Sequence, residues 1–249
     1  MALVKKTPET VGTSVTLWEQ ELAAEAQAEA KSEKVSGNFF SFKGGKITFS
    51  GNDLGNSMDV VVAGSIYDRA YYPGAYGDAK SPDCYSYSKD GIGMVPHPEA
   101  PNKQSETCET CPLNKFGSAL QGKGKACREY RKLALISADN LTSEEVPEAV
   151  IGIAKIPPTS NKAFGDYVRS VAELHKRPMW AMITEVKVLP DPQRQVSVSF
   201  KAAAPLAQDV AMAIKERAGA ISDVLNAPYP VISNEPAKPV GKAKFAAKR

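Results

Sequence analysis

The alternation of hydrophobic and polar residues changes near Gly37 from a helical pattern to a strand pattern. Residues 14–34 are rich in Ala and Glu and have few large apolar residues, so they predict a solvated acidic helix within an N-terminal arm, residues 1–36. After Gly37, apolar residues alternate on both sides of Gly44 and Gly45, which predicts a β-hairpin. The half-buried face of this hairpin is expected to consist of Phe40, Phe42, Ile47 and Phe49.

A long strand is predicted over residues 58–74. It begins as a β-branched run and ends in tyrosines, which indicates that the strand leaves the core at a surface rich in aromatic rings. The tyrosines of this region are Tyr67, Tyr71, Tyr72, Tyr76, Tyr85 and Tyr87. Such rings are typical both of a base-stacking platform and of packing around an inserted subdomain, and the sequence leaves both open.

The second half of the chain predicts two more strands, a helix, a hairpin and a last helix. The strands cover residues 128–138 and 148–158, and the first helix covers residues 161–176. The hairpin turns at residues 190–192. A single amphipathic helix is expected from its helically spaced apolar residues, which are Leu206, Val210, Ile214, Ile221 and Leu225. Residues 231–249 predict a disordered basic tail.

About five or six strands, with one helix before the last two, predict a mixed, mainly β fold. The order is that of an OB-like barrel over residues 37–230, with an insertion at about residues 80–130 and flanking helices. A generic α+β sandwich and two small domains divided near residue 140 are alternatives.

Composition restricts the class of protein. The chain has 249 residues and a net charge of +3, so an anionic partner would be met by local patches rather than by overall charge. It has no apolar run long enough to cross a membrane, and residues 1–10 lack the apolar region of a signal peptide. We therefore expect a soluble cytoplasmic protein without a membrane partner.

The four cysteines lie within a single polar stretch. Their spacing is C-x23-C-x2-C-x15-C, formed by Cys84, Cys108, Cys111 and Cys127. A C-x2-C pair with two outlying cysteines fits a closed shell of four thiolates, which structural Zn²⁺ prefers and which leaves no open position for catalysis. Two disulfides, an iron–sulfur cluster and four unrelated buried thiols are alternatives. His97 could replace one cysteine as a ligand, although its neighbouring prolines favour an exposed loop residue.

Basic residues surround these cysteines. Between Lys103 and Lys132 they outnumber the acidic residues, and GKGK at residues 122–125 accompanies Phe116. Lysines beside an aromatic ring can hold phosphates next to a stacked base. An ordinary solvated, glycine-rich loop is the alternative.

Several segments resemble a known group of proteins. CETCPLNKFGS, GKGKACREYRKLAL, KIPPTSNKAFGDYVRSV and WAMITEV are similar to segments of tailed-phage replication-region proteins. More distantly, they resemble the zinc-containing helix-destabilising proteins of such phages, in which a zinc subdomain is inserted into an OB fold. The resemblance covers about residues 37–205. It implies sequence-tolerant binding of single-stranded DNA in phage replication or recombination, in the host cytoplasm.

The resemblance and the residue pattern together give a candidate binding set. Phosphates would be held by Lys43, Lys46, Arg69, Lys115, Lys123, Lys125, Arg128, Arg131 and Lys132. Bases would stack on Tyr71, Tyr72, Phe116 or Trp180. The alternative is a zinc-containing protein-binding or transcription-regulating module that contacts a polymerase or replisome protein. An enzyme, such as a metal-dependent nuclease, is disfavoured because the chain has no deaminase, P-loop or nuclease motif.

Overall fold

The computed structural model describes Trp18, Leu22 and residues 38–74, 81–120, 122–191 and 195–229. Trp18 and Leu22 are helical and exposed. The remainder of the predicted acidic arm, Tyr76 and the predicted basic tail lie outside the described residues. Within the described part of the chain, no helix is both long and apolar enough to cross a membrane.

One sheet of nine strands forms the centre of the described part of the protein. The strands are β1 (Phe39–Lys43), β2 (Lys46–Phe49), β3 (Asn52–Asp53), β4 (Ser57–Tyr71), β5 (Cys84–Ser88), β6 (Cys127–Ser137), β7 (Gly152–Ile156), β8 (Met182–Asp191) and β9 (Gln195–Pro205). Their order is β3-β2-β1-β7-β6-β4-β8-β9, and β5 pairs with β4. Only the β1–β7 pair is parallel among the pairings of these strands.

The predicted mixed, mainly β class is confirmed, whereas the predicted count of five or six strands is wrong. The predicted segments themselves cover seven of the nine strands, and they lack β3, which has two residues, and β5, which lies in the polar stretch assigned to the insertion. The hairpin at Gly44 and Gly45 is confirmed, because Lys43 pairs with Lys46 and both glycines have positive φ angles of 58° and 75°.

The 15-residue strand β4 holds the sheet together. One of its edges pairs with β6, from Val60 opposite Ser137 to Tyr71 opposite Cys127. Its other edge is shared, because Ser57–Val60 pair with β8 and Tyr67–Tyr71 pair with β5. The sheet also curls into a half-barrel, which brings Gly45 of the first hairpin against the Pro190 side chain.

Helices cover both faces of the sheet. Helix α1 (Asn161–Ser170) buries Phe164 and Tyr167 in a core with Val60, Val62 and Leu133. The alternate residues of the same strands point to the other face and form a second core with the last two helices. This core includes Val61, Ala134, Ile136, Ile214 and Ile221. This alternation is expected for a central sheet that is buried on both faces.

The predicted single last helix is wrong. Two helices, α2 (Gln208–Glu216) and α3 (Ala218–Asn226), meet at Arg217. The Arg217 guanidinium donates hydrogen bonds to the carbonyl oxygens of Val146 and Ala149, at 2.6 and 2.7 Å. Because these carbonyls belong to a loop distant in sequence, periodicity alone could not indicate the break. The five predicted apolar residues are nevertheless all buried.

Gly64 provides a test of how closely β4 and α3 pack. A Cβ atom at Gly64 would lie 2.8 Å from Ile221 and 2.9 Å from Leu225, both of which are buried. We expect Gly64→Ala to lower the free energy of unfolding by about 1–3 kcal/mol because the helix must shift. Gly219→Ala is the control: a Cβ there meets nothing within 4 Å, so we expect a gain of about 0.5–1 kcal/mol.

Urea unfolding followed by far-UV circular dichroism measures both changes. If Gly64→Ala were as stable as the wild type, then α3 would not pack against β4 as closely as described.

Candidate metal centre and nucleic-acid interface

Two of the cysteines lie on strands that flank the end of β4. Cys84 is the first residue of β5 and Cys127 is the first residue of β6, and both pair with Tyr71. Because directly paired residues point to the same face, the Cys84, Tyr71 and Cys127 side chains share one face of the sheet. The polar insertion thus begins and ends on strands that are fixed to the same residue of β4.

The other two cysteines lie within the insertion, in a loop held by its own hydrogen bonds. The Cys108 N–H donates to the Met94 carbonyl oxygen at 2.9 Å, and the Asn114 side-chain amide donates to the Cys108 carbonyl oxygen at 2.7 Å. Cys111 precedes the short 3-10 helix Pro112–Asn114 and accepts a backbone hydrogen bond from Asn114 at 3.0 Å. Proline at the start of that helix favours this turn because its φ angle is already helical.

All four cysteines line one cavity of about 10 Å³. All are buried free thiols, and no disulfide joins them. A cavity of this volume has room for about one water-sized atom. Among the described residues, however, no group of three or more His, Cys, Asp or Glu side chains is arranged to hold a metal ion. The cysteines therefore share a cavity without forming a ready coordination shell.

Burial raises the pKa of three of these thiols. The pKa of Cys127 rises to about 12, first because of burial and then because the other three cysteines would repel its thiolate. Burial also raises the pKa values of Cys84 and Cys108. Without a cation these groups are therefore neutral thiols at physiological pH. Thiolates there would need a positive charge placed among them.

Arg69 places a fixed positive charge beside this cavity. Its guanidinium forms an ion pair with Glu129 at 2.8 Å, and it also lowers the pKa of Cys108 against the larger effect of burial. The Arg69 side chain is only 14% exposed. Arg69, which the sequence predicts as a phosphate contact, is thus largely buried and forms an ion pair within the protein.

The exposed part of the insertion carries a basic aromatic tip, which we define as Lys115, Phe116, Lys123 and Lys125. Phe116 is 82% exposed, and the Lys125 ammonium lies 5.1 Å from the centre of its ring. The tip is an ordered turn, because the Gly117 N–H donates to the carbonyl oxygens of Lys123 and Gly124 at 3.1 and 2.9 Å. Gly117 has a φ angle of 86°, which favours glycine at this position.

Other predicted binding residues lie on other surfaces. Lys43 and Lys46 are at the turn of the β1–β2 hairpin, where Lys46 forms an exposed ion pair with Asp53. The Arg131 guanidinium stacks 3.3 Å above the centre of the Tyr67 ring. Trp180 is partly buried against the second core, and Arg128 is exposed at the start of β6. These residues thus belong to elements other than the turn that carries the tip.

Lys132 and Tyr72 belong to a different cluster on the opposite face of the sheet from Cys84 and Cys127. Lys132 is only 6% exposed, with its ammonium 4.5 Å from the centre of the Tyr87 ring. Tyr72 accepts a hydrogen bond from Lys155 at 3.3 Å. We name this group the lysine–tyrosine cluster. Its members are Asp68, Tyr72, Tyr87, Tyr130, Lys132, Lys155 and Tyr229.

Sequence reasoning missed Asp68, Tyr130, Lys155 and Tyr229 as members of a site. A usable signal was present, because Lys155 is the single charge of β7, whose other residues are buried, and Asp68 continues the alternation of Ile66 and Ala70 in β4. A charge at such a position needs a partner. His97, the suggested substitute ligand, lies instead against Tyr85, with ring centres 4.9 Å apart.

Comparison of the chain with protein-family models, curated proteins and solved structures finds no match. The function must therefore be argued from the chain's own residues.

Proposed function

We propose that the protein binds single-stranded DNA without sequence preference, through an insertion ordered by a structural zinc ion on an OB-like half-barrel. The observation that carries this proposal is the basic aromatic tip, where an exposed ring and three lysines share one short ordered turn. A base can stack on such a ring while neighbouring ammonium groups hold the phosphates. Phage replication or recombination is the process that the sequence resemblance suggests.

The cysteine cavity supports the zinc part of the proposal. Four thiols from two strand ends and one loop line a space that suits a single ion, and four thiolates are the usual donor set of structural zinc. In this proposal Cys84, Cys108, Cys111 and Cys127 close around the ion. Bound zinc would tie the loop that carries the tip to the end of β4. The protein would thereby hold the tip in one orientation towards the strand.

The single-strand proposal is tested by a fluorescence-anisotropy titration of labelled oligo(dT) and a matched duplex at several salt concentrations. We expect the single strand to bind more tightly, with log K falling linearly with log salt concentration. Phe116→Ala should weaken binding by about 1–3 kcal/mol because one stacking contact is lost. Replacing both Lys115 and Lys123 by Gln should reduce the salt slope by about 1.4, because each phosphate contact on a single strand contributes about 0.7.

Phe39→Ala provides the matched control, since Phe39 is also an exposed phenylalanine but lies on β1. We expect this variant to bind oligo(dT) like the wild type. Equal losses in Phe39→Ala and Phe116→Ala, or no binding of the single strand by zinc-loaded protein, would contradict the proposal.

The zinc proposal predicts one zinc ion per chain, measured by elemental analysis of protein purified without chelator. Cys111→Ser should lose the metal and weaken oligo(dT) binding, because the tip is no longer fixed. Its far-UV circular dichroism should retain the strand signal, since the main sheet has its own cores. Full oligo(dT) affinity in a metal-free preparation would show that zinc does not order the interface.

A second candidate function, binding of a replication or transcription protein, is favoured by a specific observation. Besides Phe116, the insertion exposes three large apolar residues, Ile92, Val95 and Leu120, at 73%, 57% and 81%. Exposed apolar groups on one module are typical of a protein contact. If zinc-loaded protein bound neither oligonucleotide, this candidate would replace single-strand binding.

A further inference from the structure

The lysine–tyrosine cluster is built around a carboxylate that is fully buried within β4. Asp68 is 0% exposed, and its Oδ2 atom lies 3.3 Å from the Lys155 ammonium. Burial opposes the charge of Lys155, but Asp68 and the phenols of Tyr72 and Tyr130 outweigh it, so the pKa of Lys155 is raised. Asp68 and Lys155 therefore form an ion pair on this face of the sheet, with the carboxylate fully buried.

Tyr229 fills the space above this pair. Its hydroxyl donates a hydrogen bond to Asp68 Oδ2 and accepts one from Lys155. Its ring packs edge-on against Tyr85, with ring centres 4.9 Å apart, and lies 6.1 Å from Tyr87. A planar ring with a polar group at its end thus enters a space walled by aromatic rings and closed at the bottom by a carboxylate.

The charges of the cluster are not balanced by its own members. Two ammonium groups, Lys132 and Lys155, accompany the single carboxylate of Asp68. Burial and the neighbouring Lys155 lower the pKa of Lys132 to about 8, against the attraction of Asp68. Among the described residues, the Lys132 ammonium donates its hydrogen bond to a neutral group, the Ala227 carbonyl oxygen, at 3.2 Å. An anion beside Lys132 would supply the missing charge.

The Asp68 carboxylate can also accept a further hydrogen bond. Among the described residues, Asp68 Oδ1 has no hydrogen-bond partner although it is buried. A buried carboxylate oxygen without a donor is costly, and it indicates a position where an N–H or O–H group is expected.

Residues 227–229, the described segment that carries Tyr229, make few hydrogen bonds to the cluster. The segment follows α3, and its Ala227 and Pro228 are exposed. Besides the Tyr229 side chain, the hydrogen bonds that join residues 227–229 to the cluster run through one atom, the Ala227 carbonyl oxygen, which accepts from Lys132 and from Tyr87 at 3.2 Å each. A ligand that offers an acceptor oxygen and a planar ring can take the place of these groups.

We propose that the lysine–tyrosine cluster is a binding site for one nucleotide, which takes the place of Tyr229. The base occupies the position of the phenol ring, against the side-by-side rings of Tyr85 and Tyr87, and an N–H group of the base donates to Asp68. The phosphate lies beside Lys132. The nucleotide is either a free nucleoside monophosphate or one unit of a bound single strand, and in the second case the inference rests on the proposed function.

Isothermal titration of dGMP into wild-type protein and Tyr229→Ala tests this site. Because the tyrosine competes for the space, its removal should tighten dGMP binding about tenfold or more. Lys132→Met added to Tyr229→Ala should reverse at least that gain, and should leave binding of uncharged deoxyguanosine unchanged. Tyr67→Ala, which removes a tyrosine from the opposite face of β4, should bind dGMP like the wild type.

Circular dichroism and thermal unfolding establish that each variant is folded. Should Tyr229→Ala not fold, Tyr229→Phe keeps the ring but loses both hydroxyl hydrogen bonds, and it should tighten dGMP binding two- to threefold. A folded Tyr229→Ala with wild-type dGMP affinity, or with affinity insensitive to Lys132→Met, would overturn the proposal. Tyr229 would then be a permanent part of the fold.

Competition with oligo(dT) distinguishes the two sources of the nucleotide. Displacement of dGMP from Tyr229→Ala by oligo(dT) assigns the site to a unit of the strand, whereas simultaneous binding assigns it to free nucleotides. The two proposals can fail separately. Oligo(dT) binding that depends on Phe116 but not on Tyr229 would retain the single-strand proposal alone, and dGMP binding without oligo(dT) binding would retain the nucleotide site alone.

Discussion

The pairing of Tyr71 with both Cys84 and Cys127 is the constraint on which the rest of the candidate site depends. Two antiparallel ladders bring these cysteines, far apart in sequence, to the two sides of one residue. Once the ladders have formed, the ends of the insertion are fixed and the intervening loop needs only to close on itself. The loop has few buried apolar residues, so the cysteine cavity is its natural point of attachment.

The alternation of β4 and β6 divides the end of the sheet into two chemically different surfaces. On one face lie the cysteines, Arg69 and the Arg131–Tyr67 stack. The other face carries the lysine–tyrosine cluster. Arg131 and Lys132 are adjacent in sequence, yet they belong to opposite faces, because successive residues of a strand point in opposite directions. A run of basic residues within a strand therefore cannot form a single phosphate-binding row.

Local patterns in the sequence predict much of the fold. Glycine pairs, β-branched runs and helical spacing indicate the first hairpin, strand β4 and helix α1, because turn chemistry and periodicity act over a few residues. The parallel β1–β7 pair and the break at Arg217 depend on residues distant in sequence, and no local pattern encodes them. The two-residue strand β3 is simply too short to produce a pattern.

The candidate site was predictable to a similar extent. The C-x2-C spacing and the GKGK segment single out residues that the structure places around the cavity and in the tip, and their roles in binding metal and DNA stay predictions. They do not indicate that Lys132 is buried, since that depends on strand parity and on the segment after α3. Tyr229 is the clearest case. It lies next to a low-complexity tail in sequence, and only the folded chain brings it to Asp68.

Hydrogen–deuterium exchange of zinc-loaded protein, with and without saturating oligo(dT), tests the central claim most directly because it locates the interface without any mutation. The account predicts slower exchange across residues 112–126, where the ordered tip would contact the strand. Protection confined to the β1–β3 end of the sheet, with residues 112–126 unchanged, would contradict it and would place the interface away from the cysteine-anchored insertion.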